Sequence, residues 1–300
     1  MMAVSRKDAA AVGSPADAPE NARIEARKRK VRRSRAFVRI LIGIELLLVA
    51  VPLLVIVAWA FTNSWPWPEL LPADFTLRGV ESVFTSNGGK GLDSLWLSIG
   101  IAVAVAVLTT VIAVLACRAI SLHTWRGRSA FEFLTILPFI IPSTVFAMGV
   151  QIVFLSIGVG RTVFGVVLAH SIVALPYAII ILAEVVKAAG TRREEAASSL
   201  GANRWQVMRH VTIPAIMPGI ISSLSMCYIM SFSQYFLTLL IGGGKVNTFV
   251  LVLFPYLSGS DRTIAAAYSL VFLAVTFAVF LLFELLLRRF GVRERENLYE

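Results

Sequence analysis

The stretch that decides the fold runs from Thr191 to Pro214 and reads TRREEAASSLGANRWQVMRHVTIP. It is polar, contains a single glycine, and lies between two strongly apolar segments. Thr191 followed three residues later by Glu194 predicts a helix capping box, and Asn203 followed by Gln206 predicts a second one. The sequence therefore predicts two short consecutive helices in this stretch, which we call the hairpin.

The order of small and apolar residues fits such a hairpin. Gly201 can adopt the positive φ that ends a helix, and Pro214 suits the first turn of the membrane span that follows. Ala196, Ala197 and Leu200 give the first helix a small apolar face. The alternative is a solvated helical hairpin that only connects two spans. Such a connection would not need this particular order of residues.

The composition is that of a membrane protein. Hydrophobic residues make up 57% of the 300 residues, charged residues only 15%, and the mean hydropathy is +0.79. A soluble domain of this size could not bury so much apolar surface. Six segments reach the ~20 residues that a helical span requires. They are Ala36–Phe61, Ser94–Ile120, Phe131–Gly158, Thr162–Val186, Pro214–Ile241 and Ile264–Leu287. We therefore predict an all-α polytopic membrane protein with six transmembrane helices.

The basic residues orient these spans. With both termini in the cytoplasm, 23 of the 28 Lys and Arg residues fall on the inner side and five on the outer side, as the positive-inside rule requires. This places the hairpin in the cytoplasm and the chain in the cytoplasmic membrane. The net charge of +10 then reflects topology, and we do not expect nucleic-acid binding.

The predicted organisation has four parts along the chain. A disordered, basic cytoplasmic tail covers 1–35 and the first span covers 36–61. A core of five helices covers 94–287 and contains the cytoplasmic loop 187–213. A second cytoplasmic tail covers 288–300.

The hairpin resembles the signature of the membrane subunits of binding-protein-dependent ABC importers with the methionine-permease-like (MetI-like) fold. That signature reads Glu-Ala-Ala, three residues, Gly, nine residues, Ile, one residue, Leu-Pro. Here Glu195-Ala196-Ala197, Gly201, Val211 and Ile213-Pro214 keep every spacing. Valine and isoleucine replace isoleucine and leucine, so both positions stay apolar.

The resemblance implies a fold, a function and a set of partners. The fold is that of a type I ABC importer permease, and the function is to form half of a translocation pathway driven by ATP. The partners are a second permease subunit in a heterodimer, two copies of an ABC ATPase, and an extracytoplasmic substrate-binding protein. The residues that the resemblance assigns to coupling with the ATPase are Glu194, Glu195, Ala196, Ala197, Leu200, Gly201 and Pro214.

The chain lacks the sequence features of an ATPase of its own. A phosphate-binding loop requires Gly-x-x-x-x-Gly-Lys-Ser/Thr. The glycine-rich stretches that end at Gly91 and Lys245 lack this spacing and the Ser or Thr. Neither paired carboxylates nor a nucleophile motif is visible, so we expect no enzyme activity. We expect no cofactor in this chain, because ATP and Mg²⁺ would be bound by the partner ATPase. The three histidines and two cysteines are too scattered for a metal site.

Polar residues within spans are candidates for a translocation pathway, because burying them in lipid is costly. On the predicted fifth span these are Ser233, Gln234 and Tyr235, and Gln151 and Tyr177 lie on the third and fourth. Polyamine, iron and related permeases often carry a Ser-Phe-Asp-Glu-like sequence in this part of the fifth span. Here Ser233 and Gln234 replace the acidic pair. The alternative role for these side chains is hydrogen bonding between helices.

Two prolines, Pro138 and Pro142, predict a kink in the third span.

The substrate is less well defined by the sequence. The hairpin continues as Ser-Ser-Leu-Gly-Ala rather than the Ile-Asp-Gly-Ala of sugar permeases, which favours a polyamine or another small organic or inorganic ion. A sugar permease is the nearest alternative. A secondary transporter driven by an ion gradient would not need the ordered hairpin, and it often shows an inverted repeat that this chain lacks.

Overall fold

The computed structural model describes residues 18–63, 65, 74–85, 90–122, 126–259 and 261–296. The helices are α1 (Ala18–Ala60), α2 (Arg78–Thr85), α3 (Lys90–Leu122), α4 (Arg128–Ile140), α5 (Ser143–Ser156), α6 (Val163–Ala189), α7 (Arg192–Ser199), α8 (Arg204–Val207), α9 (Ile213–Phe232), α10 (Phe236–Gly242), α11 (Phe249–Leu257) and α12 (Arg262–Glu296). A single π-helical turn, Met208–Thr212, joins α8 to α9.

Five helical segments of the described chain are long and apolar enough to cross a membrane. They are Phe37–Ala60, Gly91–Ile120, Val163–Ala189, Arg204–Phe232 and Arg262–Arg289. The bent pair Arg128–Pro138 and Ser143–Ser156 supplies a sixth span if it is taken as one. The six predicted spans therefore all correspond to apolar helical segments.

The chain divides into two compact units, Met1–Val55 and Ile56–Glu300. In the first unit, α1 begins at Ala18, so the basic part of the predicted tail, up to residue 35, is helical. Residues 1–17 lie outside the described residues. At the other end of the chain, α12 continues through Glu296, so most of the predicted tail 288–300 is helical.

The core of the second unit is formed by α3, α6 and α9, which pack against one another. Small residues allow these helices to approach closely. At Gly219 on α9, an added Cβ would lie 3.0 Å from the Cβ of Val185 on α6. A buried hydrogen bond of 3.0 Å joins the hydroxyl groups of Thr110 on α3 and Ser223 on α9. The hairpin and the candidate pathway residues are attached to this three-helix core.

The third predicted span is broken rather than gently kinked. Its two halves, α4 and α5, meet at an angle of 105°. Ile141, the residue before Pro142, has an extended conformation with φ −80° and ψ 131°, as the steric clash with a following proline ring demands. The predicted bend is confirmed, and it is larger than expected.

The fifth predicted span, Pro214–Ile241, is wrong as a single helix. α9 ends at Phe232, and a separate helix, α10, begins at Phe236. The Ser233 hydroxyl donates hydrogen bonds to the carbonyl groups of Ile229 and Met230, at 2.9 and 3.2 Å. Such side-chain bonds compete with the helical backbone pattern. The break places the residues 233–235 between two helix ends.

Candidate functional site

The hairpin has the two helices that the sequence predicts. α7 ends at Ser199 with Leu200 as its C-cap residue, and Gly201 has a φ of +88°, a conformation that glycine adopts without strain. Asn203 and Gln206 form the predicted capping box, with both reciprocal hydrogen bonds at 2.9 Å. Pro214 lies in the first turn of α9, as predicted. The local turn chemistry therefore sets the path of the chain.

The predicted capping box at the start of α7 is wrong. Thr191 has φ −101° and ψ −15°, and its side chain makes no capping bond. The Glu194 carboxylate instead accepts two hydrogen bonds from Arg118 of α3, at 2.6 and 3.0 Å. It also accepts one from the Thr212 hydroxyl at 2.6 Å. The Glu194 carboxylate is thus held by a charged partner far along the chain.

The other side of the hairpin carries exposed apolar side chains. Leu200 is 90% exposed and Trp205 is 70% exposed. Glu195 and Ala196 are also exposed, whereas Ala197 is half-buried. We call this surface, made of Glu195, Ala196, Leu200 and Trp205, the docking face. Trp205 was not among the predicted site residues, although a large aromatic residue in a polar stretch is a usable signal.

The hairpin lies within a match to a known protein family. Residues 111–292, which include α7, α8 and the helices on both sides, match the model of the binding-protein-dependent transport system inner membrane component. The chain belongs to this family. It is therefore a multi-pass membrane protein and the permease subunit of an ABC importer, as the hairpin signature predicted.

Individual relatives agree with this assignment. The chain is 24% identical over 230 residues to the putative 2-aminoethylphosphonate transport system permease protein PhnV of Salmonella paratyphi A, covering 76% of this chain and 86% of the relative. It is 25% identical over 248 residues to the putrescine transport system permease protein PotI of Escherichia coli, covering 80% and 83%.

The fold of the permease is also found in a solved structure. A bacterial alginate ABC transporter in complex with alginate pentasaccharide-bound periplasmic protein contains a chain with a TM-score of 0.62 and 17% identity to this one. The match covers 87% of this chain and 96% of that chain. The likeness confirms the predicted permease fold.

Two of the five predicted pathway residues of the permease, Gln151 and Tyr235, contact other elements near α10. Gln151 of α5 donates a hydrogen bond to the Leu240 carbonyl at 3.1 Å. The Tyr235 ring stacks on Phe254 of α11 with ring centroids 4.0 Å apart. Gln234 is half-buried. The hydroxyl of the preceding residue, Ser233, donates a hydrogen bond to the Ile229 carbonyl of α9. Tyr177 lies half-buried in the middle of α6. A pathway role for these residues stays a prediction.

A histidine that the sequence analysis did not use holds α10 in place. His170 of α6 is 2% exposed. Its Nδ1 lies 2.9 Å from the Ser231 hydroxyl of α9, and its Nε2 lies 2.9 Å from the Thr238 hydroxyl of α10. Both ring nitrogens are therefore engaged, and the imidazole bridges the two sides of the break in the fifth span. No spacing pattern in the sequence indicates this long-range bridge.

Proposed function

We propose that the docking face of the hairpin receives a partner ABC ATPase and couples ATP hydrolysis to substrate import. The observation that carries this proposal is that Leu200, Trp205 and Glu195 are all exposed within one short polar segment. Large apolar side chains clustered in an exposed polar segment are typical of protein interfaces. Ala196 is small and lets a partner approach the backbone of α7 closely.

The proposed assembly contains two permease subunits, this chain and a second homologous one in a heterodimer. Two ATPase subunits bind ATP and Mg²⁺ on the cytoplasmic side, and this chain itself catalyses no reaction. An extracytoplasmic binding protein delivers the substrate. The excess of basic residues on the hairpin side supports a cytoplasmic-membrane topology with both termini inside.

The proposed mechanism is rigid-body coupling. When ATP closes the two ATPase subunits, they bring the two hairpins together, and the helical bundle opens outwards. Hydrolysis of ATP returns the bundle to its inward-facing state. Coupling of this kind needs two discrete arrangements of packed helices, each favoured by one state of the ATPase.

We further propose that the substrate is a small charged compound such as a polyamine. Relatives named for putrescine and 2-aminoethylphosphonate transport support this class. In this chain, the residues Ser233, Gln234 and Tyr235 offer neutral hydrogen-bonding groups rather than carboxylates. Selectivity for charge would then reside mainly in the binding protein.

A mild detergent pull-down of the tagged chain tests the assembly, with the accompanying proteins identified by mass spectrometry. We expect a P-loop ATPase and a second permease. The same pull-down with Glu195→Lys should lose the ATPase and keep the second permease. A wild-type chain that purifies alone and moves solute into liposomes on an ion gradient would contradict the proposal and identify a secondary transporter.

The binding protein from the same system then tests the substrate class. Thermal-shift measurements with putrescine, spermidine, 2-aminoethylphosphonate and an alginate oligosaccharide separate small charged compounds from sugars. Stabilisation by the oligosaccharide alone would contradict the proposed class and leave the importer assignment intact.

A further inference from the structure

The Glu194 carboxylate connects three separate parts of the permease. It lies on α7, its ion-pair partner Arg118 lies near the end of α3, and its third donor, Thr212, lies in the π-helical turn that leads into α9. We call these three residues the Glu194 anchor. Through the anchor, α7 is bonded to α3 and to the π-helical turn that leads into α9.

The anchor is shielded from solvent, in contrast to four other ion pairs among the described residues. The side chains of Arg118 and Glu194 are 19% and 18% exposed. In these four ion pairs, each side chain is at least 34% exposed. Three of those pairs join neighbours on one helix and so hold no separate elements together. A shielded two-bond pair between arginine and a carboxylate fixes both distance and angle.

The backbone around the anchor explains why such a connection is needed. Gly190, at the end of α6, and Gly201, at the end of α7, both have positive φ, with values of 62° and 88°. α7 is thus joined to the rest of the chain by glycines on both sides. It buries none of its residues, so apolar packing does not hold it rigidly. The anchor supplies the rigid link that the backbone lacks.

The π-helical turn belongs to the same arrangement. It interrupts an otherwise continuous helical segment from Arg204 to Phe232. The turn carries Thr212, which is 5% exposed and donates its hydroxyl to Glu194. Single π-helical turns inside helices are often found at functional positions.

We propose that the Glu194 anchor transmits movement of the hairpin to α3 and α9. Glu194 is then a positioning residue that faces the core, while Glu195 on the docking face serves the ATPase. This inference rests on the proposed function, because it needs an ATPase that moves the hairpin. It separates two adjacent glutamates into one that binds the partner and one that transfers the partner's motion.

Distances between two spin labels, measured by double electron–electron resonance on the assembled complex, test the proposal. One label replaces exposed Ser199 at the end of α7, and the other replaces exposed Leu115 on α3, in a background with Cys117→Ala and Cys227→Ala. The complex is measured without nucleotide and after trapping with ATP, Mg²⁺ and vanadate. We expect one narrow distance in wild type that does not change on trapping.

Glu194→Gln should retain the ATPase at the wild-type ratio and yet lose the fixed distance. We expect the distance distribution to become at least twofold broader and to shift on trapping. The matched pair Thr212→Val and Thr212→Ser separates the hydroxyl from side-chain volume, and only the valine variant should broaden the distribution. As a control, Glu184→Gln removes the exposed pair with Lys187 and should change neither the ratio nor the distance.

A merely structural role for Glu194 would lower thermal stability without making the distance depend on nucleotide. A narrow, unchanged distance in both Glu194→Gln and Thr212→Val would therefore overturn the anchor proposal. So would a wild-type distance that shifts on trapping as much as that of the variants. Loss of the ATPase from the wild-type complex would instead refute the proposed function, and the anchor proposal with it.

Discussion

Replacing Leu200 by alanine should weaken binding of the ATPase without destabilising the permease. Leu200 is 90% exposed, and an alanine at this position leaves no cavity. We therefore expect its effect on unfolding to stay within about 0.5 kcal/mol, as for most surface substitutions. The cost should appear only when a partner covers the side chain.

The size of the effect follows from the apolar groups that are removed. Leucine carries three more carbon atoms than alanine, each contributing about 0.8 kcal/mol when fully buried, or about 2.4 kcal/mol in total. With incomplete burial in the interface, about 2 kcal/mol remains, which corresponds to a roughly 30-fold increase in Kd. Trp205→Ala should cost at least as much, because a tryptophan buries ~150–250 Å².

The assay is a titration of labelled ATPase onto permease complexes held in lipid nanodiscs. Thermal stability is measured on the same samples by fluorescence-detected size exclusion. Leu285→Ala is the matched control, because Leu285 is 64% exposed but lies in the apolar span of α12. Its Kd should equal that of wild type.

The reasoning is refuted by two results. One is a Kd for Leu200→Ala within twofold of wild type, which would mean that the ATPase leaves this side chain uncovered. The other is a loss of thermal stability in Leu200→Ala that exceeds the loss in Leu285→Ala, which would mean that Leu200 packs within the permease.

Three further substitutions test the geometry of the hairpin and the core. Gly201→Ala places a side chain at a φ of +88° and should cost about 1–2 kcal/mol, which would speed amide hydrogen exchange in the hairpin by ~5–30-fold. Gly149→Ala, at a helical glycine with open space around it, should leave that exchange unchanged. Equal exchange in both variants would contradict the φ argument. His170→Ala removes the imidazole partner of the buried Ser231 hydroxyl, whereas the Thr238 hydroxyl keeps its bond to the Gln234 carbonyl. The variant should lose about 1–3 kcal/mol for the Ser231 group, seen as a lower melting temperature; an unchanged melting temperature would show that the bridge contributes nothing. Gly219→Ala forces a Cβ to 3.0 Å from the Cβ of Val185 and should cost about 1–3 kcal/mol. If the clash is the cause, the loss of melting temperature should be smaller in a Val185→Gly background, which removes the clashing Cβ.

The membrane spans could be predicted from the sequence because hydropathy is a local property. Six apolar segments of sufficient length correspond to the helices observed, within a few residues at most ends. The break of the third span was also predictable, since Pro142 restricts its neighbour. The break after Phe232 was not, because a serine in a span usually bonds to its own helix without ending it.

The hairpin shows the same division between local and distant interactions. Gly201 and the Asn203 capping box follow from residues within three positions, and both predictions are confirmed. The Thr191 capping box is wrong because the Thr191 side chain makes no capping bond, and the Glu194 carboxylate binds Arg118, which lies 76 residues away in the sequence. Local sequence gives no sign of such a distant, charge-assisted partner.

The orientation of the two glutamates follows from helix geometry. Successive residues of an α-helix are separated by about 100° around its axis, so Glu194 and Glu195 point in different directions. Glu194 is held by Arg118 and Thr212, whereas Glu195 is exposed, as are Leu200 and Trp205. The pair of adjacent acids thus gives the hairpin one contact towards the core and one towards a partner. Neutralising Glu195 should therefore reduce binding of the ATPase, whereas neutralising Glu194 should leave binding intact and abolish the transmitted motion.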